Sequence, residues 1–301
     1  MAEVASSGGP WIPANFLALT EAQCDLERSR VVILPVPYDS TTSFRGGARY
    51  GPKAIIEASY GLEDYDWELD LDVAEIGIHT TPYLEPQLGA PELMVARVRN
   101  AVASFVQRGK IVGVLGGEHS VTIGAVQAQR EAHPGLSVLY LDAHADLRNE
   151  YLGTAWGHAS GARRIHELCP LVLAGIRSLC PEERDYLRQH AIPTFFWPPS
   201  VGSDEYFRQI VNRLGPQVYI SVDLDVLDPG IMAAVGTPEP GGLGWQDINN
   251  LLRLVGASRQ IVGFDLSELA PEEGPAACSY TAAKLVYKLI SYATAGGGHG
   301  P

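Results

Sequence analysis

The chain has 301 residues, 46% of them hydrophobic and 19% charged, with a formal net charge of −13. That length and composition fit a folded protein with a large buried core and carry no signature of disorder. So acidic a chain repels nucleic acid and anionic membrane surfaces, and no apolar run approaches the ~18 residues of a membrane span.

In chain order, short apolar runs rich in β-branched residues fall at Val31–Val36, near Val73–Ile78, at Ile111–Leu115, Ser137–Leu141 and Leu171–Ala174, near Ile192–Phe196, and at Val218–Val222 and Gln260–Phe264. Helix-length segments separate most of them: Pro91–Gln107, Val121–Ala132, Pro181–Gln189, Asp204–Leu214 and Gln246–Val255. Pro91 and Pro181 suit first helical turns. Strands that are apolar throughout are buried on both faces. Their alternation with helices implies an α/β fold of three layers, α-β-α, with a mostly parallel sheet of about eight strands. No repeat or linker divides residues 1–301, which read as a single domain with loose ends at about 1–15 and 293–301. The opening MAEVASSGGPW lacks the basic start and apolar stretch of a secretory signal. Cys24, Cys169, Cys180 and Cys278 form no paired cluster, so reduced thiols in a cytoplasmic protein are expected.

In such sheets ligands bind beyond the carboxyl ends of the strands. Residues fit for chemistry lie there. Ile111–Leu115 runs into Gly116-Gly117-Glu118-His119-Ser120, and Ser137–Leu141 into Asp142-Ala143-His144-Ala145-Asp146. Val218–Val222 runs into Asp223-Leu224-Asp225, and Gln260–Phe264 into Asp265-Leu266-Ser267-Glu268. A lone Asp-x-Asp is usually a solvated turn or helix cap, and His119 alone could neighbour a helix start at Ser120. Four such endings together form a cluster of carboxylates that repel one another unless cations neutralise them. Asp142, His144 and Asp146 alternate, as do Asp223 and Asp225, so each set points to one side of an extended chain. Together with His119 they exceed the needs of one tetrahedral zinc. Carboxylate and imidazole donors suit manganese or a similar divalent ion, and two ions ~3.5–4 Å apart sharing carboxylates use the set economically. His79, His133, His166, His190 and His299 lack this setting and read as structural or surface residues.

With GGEHS, DAHAD, SVDLD and DLSE in this order, the chain resembles the ureohydrolase family of arginases and agmatinases from about Val31 to Leu289, including Pro37-Tyr38-Asp39 and the stretch Arg45–Pro52. The resemblance implies two Mn(2+) per chain, one held by His119, Asp142, Asp146 and Asp223, the other by Asp142, His144, Asp223 and Asp225. It gives Glu268 the guanidinium of the substrate, His158 a proton for the leaving amine, and Asp146 a hydrogen bond from the attacking oxygen. It places Thr237 at the rim of the site, where a plain structural turn is the other reading. It also implies a homo-oligomer, a trimer or hexamer.

The run from Asp142 through Gly153 and on to WGHAS is similar to the agmatinase branch, and the serine-rich loop with which arginases read the α-carboxylate and α-amine of arginine is missing. The expected partner is a small cationic guanidino compound, agmatine cleaved to putrescine and urea, with Glu150 or another rim acid receiving its amine. Arg148 either forms an internal salt bridge with an acid such as Glu150 or receives a carboxylate, which would favour a guanidino acid such as 4-guanidinobutyrate. One departure stands out. Alanines occupy Gly230–Gly236 where the family has a Pro-Gly pair, which implies an altered pocket or a more mobile loop. A deacetylase of related fold would need one metal and fewer carboxylates, and a non-catalytic homologue would lack ligands that are all present here.

Overall fold

Each of the eight apolar runs contributes a strand to one sheet in the structure, a computed structural model that describes residues 12–295. In chain order the strands are β1 Val31–Val36, β2 Tyr65–Asp66, β3 Leu71–Asp72, β4 Ile78–Thr80, β5 Ile111–Gly116, β6 Leu136–Leu141, β7 Leu171–Ile176, β8 Thr194–Phe196, β9 Gln217–Asp223 and β10 Gln260–Ser267. The helices are α1 Gly51–Ser59, α2 Pro91–Val106, α3 Val121–Ala132, α4 Gly161–His166, α5 Pro181–His190, α6 Ser203–Val211, α7 Trp245–Ser258 and α8 Ala276–Ala295. The large sheet has the order β4-β1-β5-β10-β9-β6-β7-β8, and all neighbouring pairs are parallel. β2 and β3 form a separate antiparallel pair that the sequence reading missed.

The sheet lies between two helical layers. α1, α6, α7 and α8 supply side chains to the apolar core on one face, and α2 to α5 to the core on the other. The strands alternate between the two: Val218, Ile220 and Val222 of β9 face the first core, and Tyr219 faces the second. This double burial explains why the strand runs are apolar throughout. The chain leaves β5, skips two places to lay down β6, β7 and β8, and fills the gap later with β9 and β10. β5, β10, β9 and β6, which carry the four motifs, are therefore consecutive at the centre of the sheet, and their carboxyl ends form one floor.

Several boundaries differ from expectation. The weak run near Val73–Ile78 is mostly a 3-10 turn, Val73–Ile76, and its strand is Ile78–Thr80. α6 ends at Val211, short of Leu214. α1 and α8 were not anticipated. α1 begins at the end of the glycine-rich stretch read as motif, and α8 is buried over most of its 20 residues, so it lacks a polar face to mark its period. Of the segments expected to be loose, residues 1–11 and 296–301, with His299, lie outside the described residues. Residues 293–295 instead complete α8, where Thr294 is buried. No helix of the described residues is long and apolar enough to cross a membrane. Their four cysteines are all free thiols.

Candidate functional site

His119, Asp142, His144, Asp146, Asp223, Asp225 and Glu268 all gather at the floor formed by the four central strands. His119 Nδ1 lies 3.1 Å from Asp142 Oδ2, 3.2 Å from Asp223 Oδ2 and 3.5 Å from Asp146 Oδ2. His144 Nδ1 lies 2.8 Å from Asp225 Oδ2 and 3.6 Å from Asp142 Oδ1. Two sets of donor atoms are each compact enough to hold a cation: His119, Asp142 and Asp223, and Asp142, His144 and Asp225. Asp142 is common to both. The second oxygen of Asp223, Oδ1, accepts from the Asp225 backbone N–H at 2.9 Å. Asp146 stands beside the first set, held by the Tyr140 hydroxyl, which donates to its Oδ2 at 2.8 Å.

Behind these side chains lies a layer of polar groups that the sequence reading left out. His119 Nε2 meets Ser221 Oγ at 2.8 Å, and Ser221 donates to Asp265 Oδ1 at 2.9 Å. Thr122 donates to the same oxygen at 3.0 Å. With Ser221 in contact with Nε2, Nδ1 is the nitrogen that faces the carboxylates. The sequence places Asp265 just past a strand end. β10 in fact runs on to Ser267, so Asp265 is a fully buried strand residue behind His119 and only Glu268 emerges. Tyr140 stacks on His119 with ring centroids 4.4 Å apart. Asp146 and Glu268 both have positive φ, +50° and +68°. Such backbone costs roughly 1–3 kcal/mol per residue and is found where the surrounding structure holds a functional side chain in place.

The electrostatics of the cluster favour a cation. Burial, then the charges of Asp146 and Asp225, lift the Asp142 carboxyl to about 7. Burial, then Asp225 and Asp142, carry Asp223 well above the usual carboxylate range. Burial alone would lower both imidazoles, but hydrogen bonds to the carboxylates outweigh it: His144 is pushed up to about 12 and His119 well above its ordinary value. Asp225 moves the other way. Its hydrogen bond and ion pair with His144 outweigh burial and hold it below the usual range. The carboxylates thus favour positive charge among them. Carboxylate oxygens with imidazole nitrogens form a donor set suited to hard or borderline divalent ions.

Above the floor is a cavity of about 320 Å³ lined by His119, His144, Asp146, Asp223, Asp225 and Glu268, among others. His158, Arg148 and Thr237 also line it. Glu268 Oε1 accepts from the His119 backbone N–H at 2.6 Å. Burial, then Asp223 and Glu118, raise the Glu268 carboxyl well above its ordinary value, and it forms no ion pair among the described residues. The Thr237 hydroxyl lies 3.4 Å from Asp225 Oδ2. Glu150 is exposed and outside the cavity lining. The expected pair between Arg148 and Glu150 is also missing: the Arg148 guanidinium lies 4.6 Å from the ring centre of Tyr151 and pairs with no carboxylate among the described residues. The sequence reading also missed Glu183, a buried cavity residue. Its carboxylate accepts from the backbone N–H groups of Leu147, at 3.0 Å, and Cys180, at 2.7 Å.

The alanine-bearing loop is packed against the body of the protein. Met232, Ala234 and Val235 are buried, the Ala270 N–H donates to Ala234 O at 2.8 Å, and Val235 bridges to Leu269. Only Gly236 and Thr237 of this region reach the cavity. The next stretch is pinned by Arg177, whose guanidinium donates to Asp225 O and Glu239 O, both at 2.7 Å, and to Pro240 O at 3.1 Å. His79, His133, His166 and His190 stand away from the cavity, as expected.

Residues 29–291 match the family described as "Arginase family". A relative from Synechocystis sp. named N(1)-aminopropylagmatine ureohydrolase is 39% identical over 288 residues, covering 93% of this chain and 94% of its own. A relative from Pyrococcus horikoshii named agmatinase is 34% identical over 273 residues, covering 88% and 93%. Among solved structures, the agmatine ureohydrolase of Thermoplasma volcanium superimposes with a TM-score of 0.85 at 31% identity, covering 94% of each chain.

Proposed function

The chain belongs to the arginase family of ureohydrolases, and from that premise we propose that it is a two-metal enzyme releasing urea from a guanidino amine, N(1)-aminopropylagmatine ahead of agmatine. The observation that carries this reading is Glu268, a partly buried carboxylate of the cavity without an ion-pair partner among the described residues, held at the edge of two donor sets that share Asp142. A planar guanidinium is the cation that fits a fixed carboxylate best.

His119, Asp142 and Asp223 would hold one ion, and Asp142, His144 and Asp225 the other, with Asp146 beside the first. Manganese is the proposed metal, on the chemistry of the donors. When bound, the two ions neutralise the carboxylates and supply the Lewis acidity that brings a water's pKa towards neutrality. The residues of the chain do the rest. Glu268 fixes the guanidinium over the floor, so its carbon faces the attacking oxygen. Asp146, oriented by Tyr140, accepts the hydrogen bond of that oxygen. His158 gives a proton to the amine nitrogen as the C–N bond breaks, and urea and the free amine leave.

The order of the two amines rests on the higher identity to the Synechocystis relative. A guanidino acid is the second reading, favoured by Arg148, which lines the cavity without a carboxylate partner among the described residues. Urea release from N(1)-aminopropylagmatine, agmatine, 4-guanidinobutyrate and arginine, measured side by side with added manganese, tests this. Highest kcat/KM on the aminopropyl compound is expected. Highest kcat/KM on the guanidino acid would reassign Arg148 to carboxylate binding and overturn the amine reading.

A further inference from the structure

Glu118 is fully buried, and the mechanism above does not use it. Its carboxylate accepts three hydrogen bonds: from the Thr41 backbone N–H at 2.6 Å, from the Thr41 hydroxyl at 2.7 Å and from the Ser120 hydroxyl at 2.5 Å. A threonine hydroxyl has one proton. With that proton directed at Glu118, the lone pairs of Thr41 Oγ1 are left for donors, and both donors come from His158. Its backbone N–H lies 3.1 Å away and its Nδ1 3.2 Å away. Nδ1 must then carry the ring proton, and Nε2 is the nitrogen free to exchange one. Nε2 lies 3.2 Å from the hydroxyl of Ser43, a residue of the cavity wall.

The backbone is shaped around this chain of contacts. A Cβ on Gly157 would lie 3.0 Å from Thr41 Oγ1 and 3.2 Å from Thr41 Cβ, so the absence of a side chain there lets the His158 loop close on Thr41. A Cβ on Gly117 would lie 2.0 Å from Tyr38 O, and the Glu118 N–H donates to that same oxygen at 2.8 Å. The loop after β1 is thereby laid over the end of β5, which brings Thr41 between Glu118 and His158.

We propose that Glu118, acting through Thr41, is a positioning residue that fixes the tautomer and orientation of His158, with the proton on Nδ1 and Nε2 turned to the cavity. The proposal rests on His158 being the proton donor. A carboxylate that holds a catalytic imidazole in one tautomer has a large effect on turnover and little on substrate binding.

The test is a double-mutant cycle on the manganese-loaded enzyme, with kcat and KM for urea release, bound metal per chain and Tm measured for each variant. Thr41→Val removes the hydroxyl and keeps the shape. It is expected to lower kcat roughly tenfold or more with KM and metal content unchanged. Thr41→Ser restores kcat to within about threefold. Glu118→Gln lowers kcat in the same way as Thr41→Val. In a His158→Ala background, Thr41→Val causes no further loss, because the group it positions is gone. Equal losses in both backgrounds would make Thr41 a general structural residue and overturn the proposal. A loss in His158→Ala with none in Thr41→Val would also overturn it while leaving the role of His158 intact. Undiminished kcat in His158→Ala would instead overturn the proton-donor reading and the positioning role with it.

Discussion

At Asp142 the raised carboxyl has a consequence for stability. An acid whose folded pKa lies near 7 and whose unfolded value lies near 3.8 holds its proton longer in the folded state. The metal-free protein therefore loses stability from this group as pH rises from about 4 to 7, because the unfolded chain ionises first. Asp223 acts in the same direction. His144, pushed up to about 12, adds stability that is whole below its ordinary value of 6.5 and declines as pH rises above it. Asp225, held low, acts only below its ordinary 3.8. Thermal melts of metal-free protein from pH 4.5 to 8 should show a falling Tm, and saturating manganese should remove most of that fall, since the cation replaces the missing charge. A Tm independent of pH in both states would contradict this. By the same logic Asp223→Asn relieves repulsion. Metal-free Tm is expected to rise or stay level while urea release drops at least ~100-fold, since a ligand is lost from the proposed metal site. At this scale the sequence was legible where residue type and alternation announce chemistry, as in Asp142-Ala143-His144-Ala145-Asp146. It was silent on Tyr140, Ser221 and Thr41, which act through hydrogen bonds to residues distant in the chain and have nothing local to mark them.

Among the elements, the strands were the most readable because burial on both faces leaves an unbroken apolar run. Their ends were less so. Val222-Asp223 and Phe264-Asp265 look like exits from the sheet, yet β9 includes Asp223 and β10 continues to Ser267, since parallel pairing with the neighbouring strand outweighs the local polarity. α8 stayed hidden for the opposite reason, too little polarity. The loop that departs from the family pattern proved to be anchored by burial of Met232 and Ala234, which side-chain size alone did not reveal. Arg177 holds the stretch that follows. Lysine cannot reproduce a planar fork spread over the carbonyls of Asp225, Glu239 and Pro240. Arg177→Lys is expected to lower Tm by roughly 2–8 °C, from about 1–3 kcal/mol of unsatisfied buried groups. It should also reduce kcat/KM several-fold by loosening Thr237. A variant with both values unchanged would show that the loop stands without the guanidinium.

For the molecule as a whole, the fold class was readable because strands buried on both faces imply a parallel sheet between helical layers, while the adjacency of the four motif-bearing strands depends on a topology that no local pattern records. The sheet and its two apolar cores do not need the metals: Val31–Val36, Leu136–Leu141 and their neighbours are buried by helices alone. Removing metal by chelation is therefore expected to abolish urea release and leave the far-UV circular dichroism unchanged. Tm should fall as mass action dictates, by about 2.7 kcal/mol of stability per site for an ion that had been present at 100 times its Kd. Loss of the circular dichroism signal would mean the cluster is structural. A paired-metal site beneath a guanidinium-binding carboxylate is probed by titrating manganese into the metal-free protein while following bound metal and urea release from N(1)-aminopropylagmatine together. Two ions per chain are expected, with activity that rises to full only as the second binds. Two bound ions with no urea from any guanidino compound, or full activity with none bound, would contradict this.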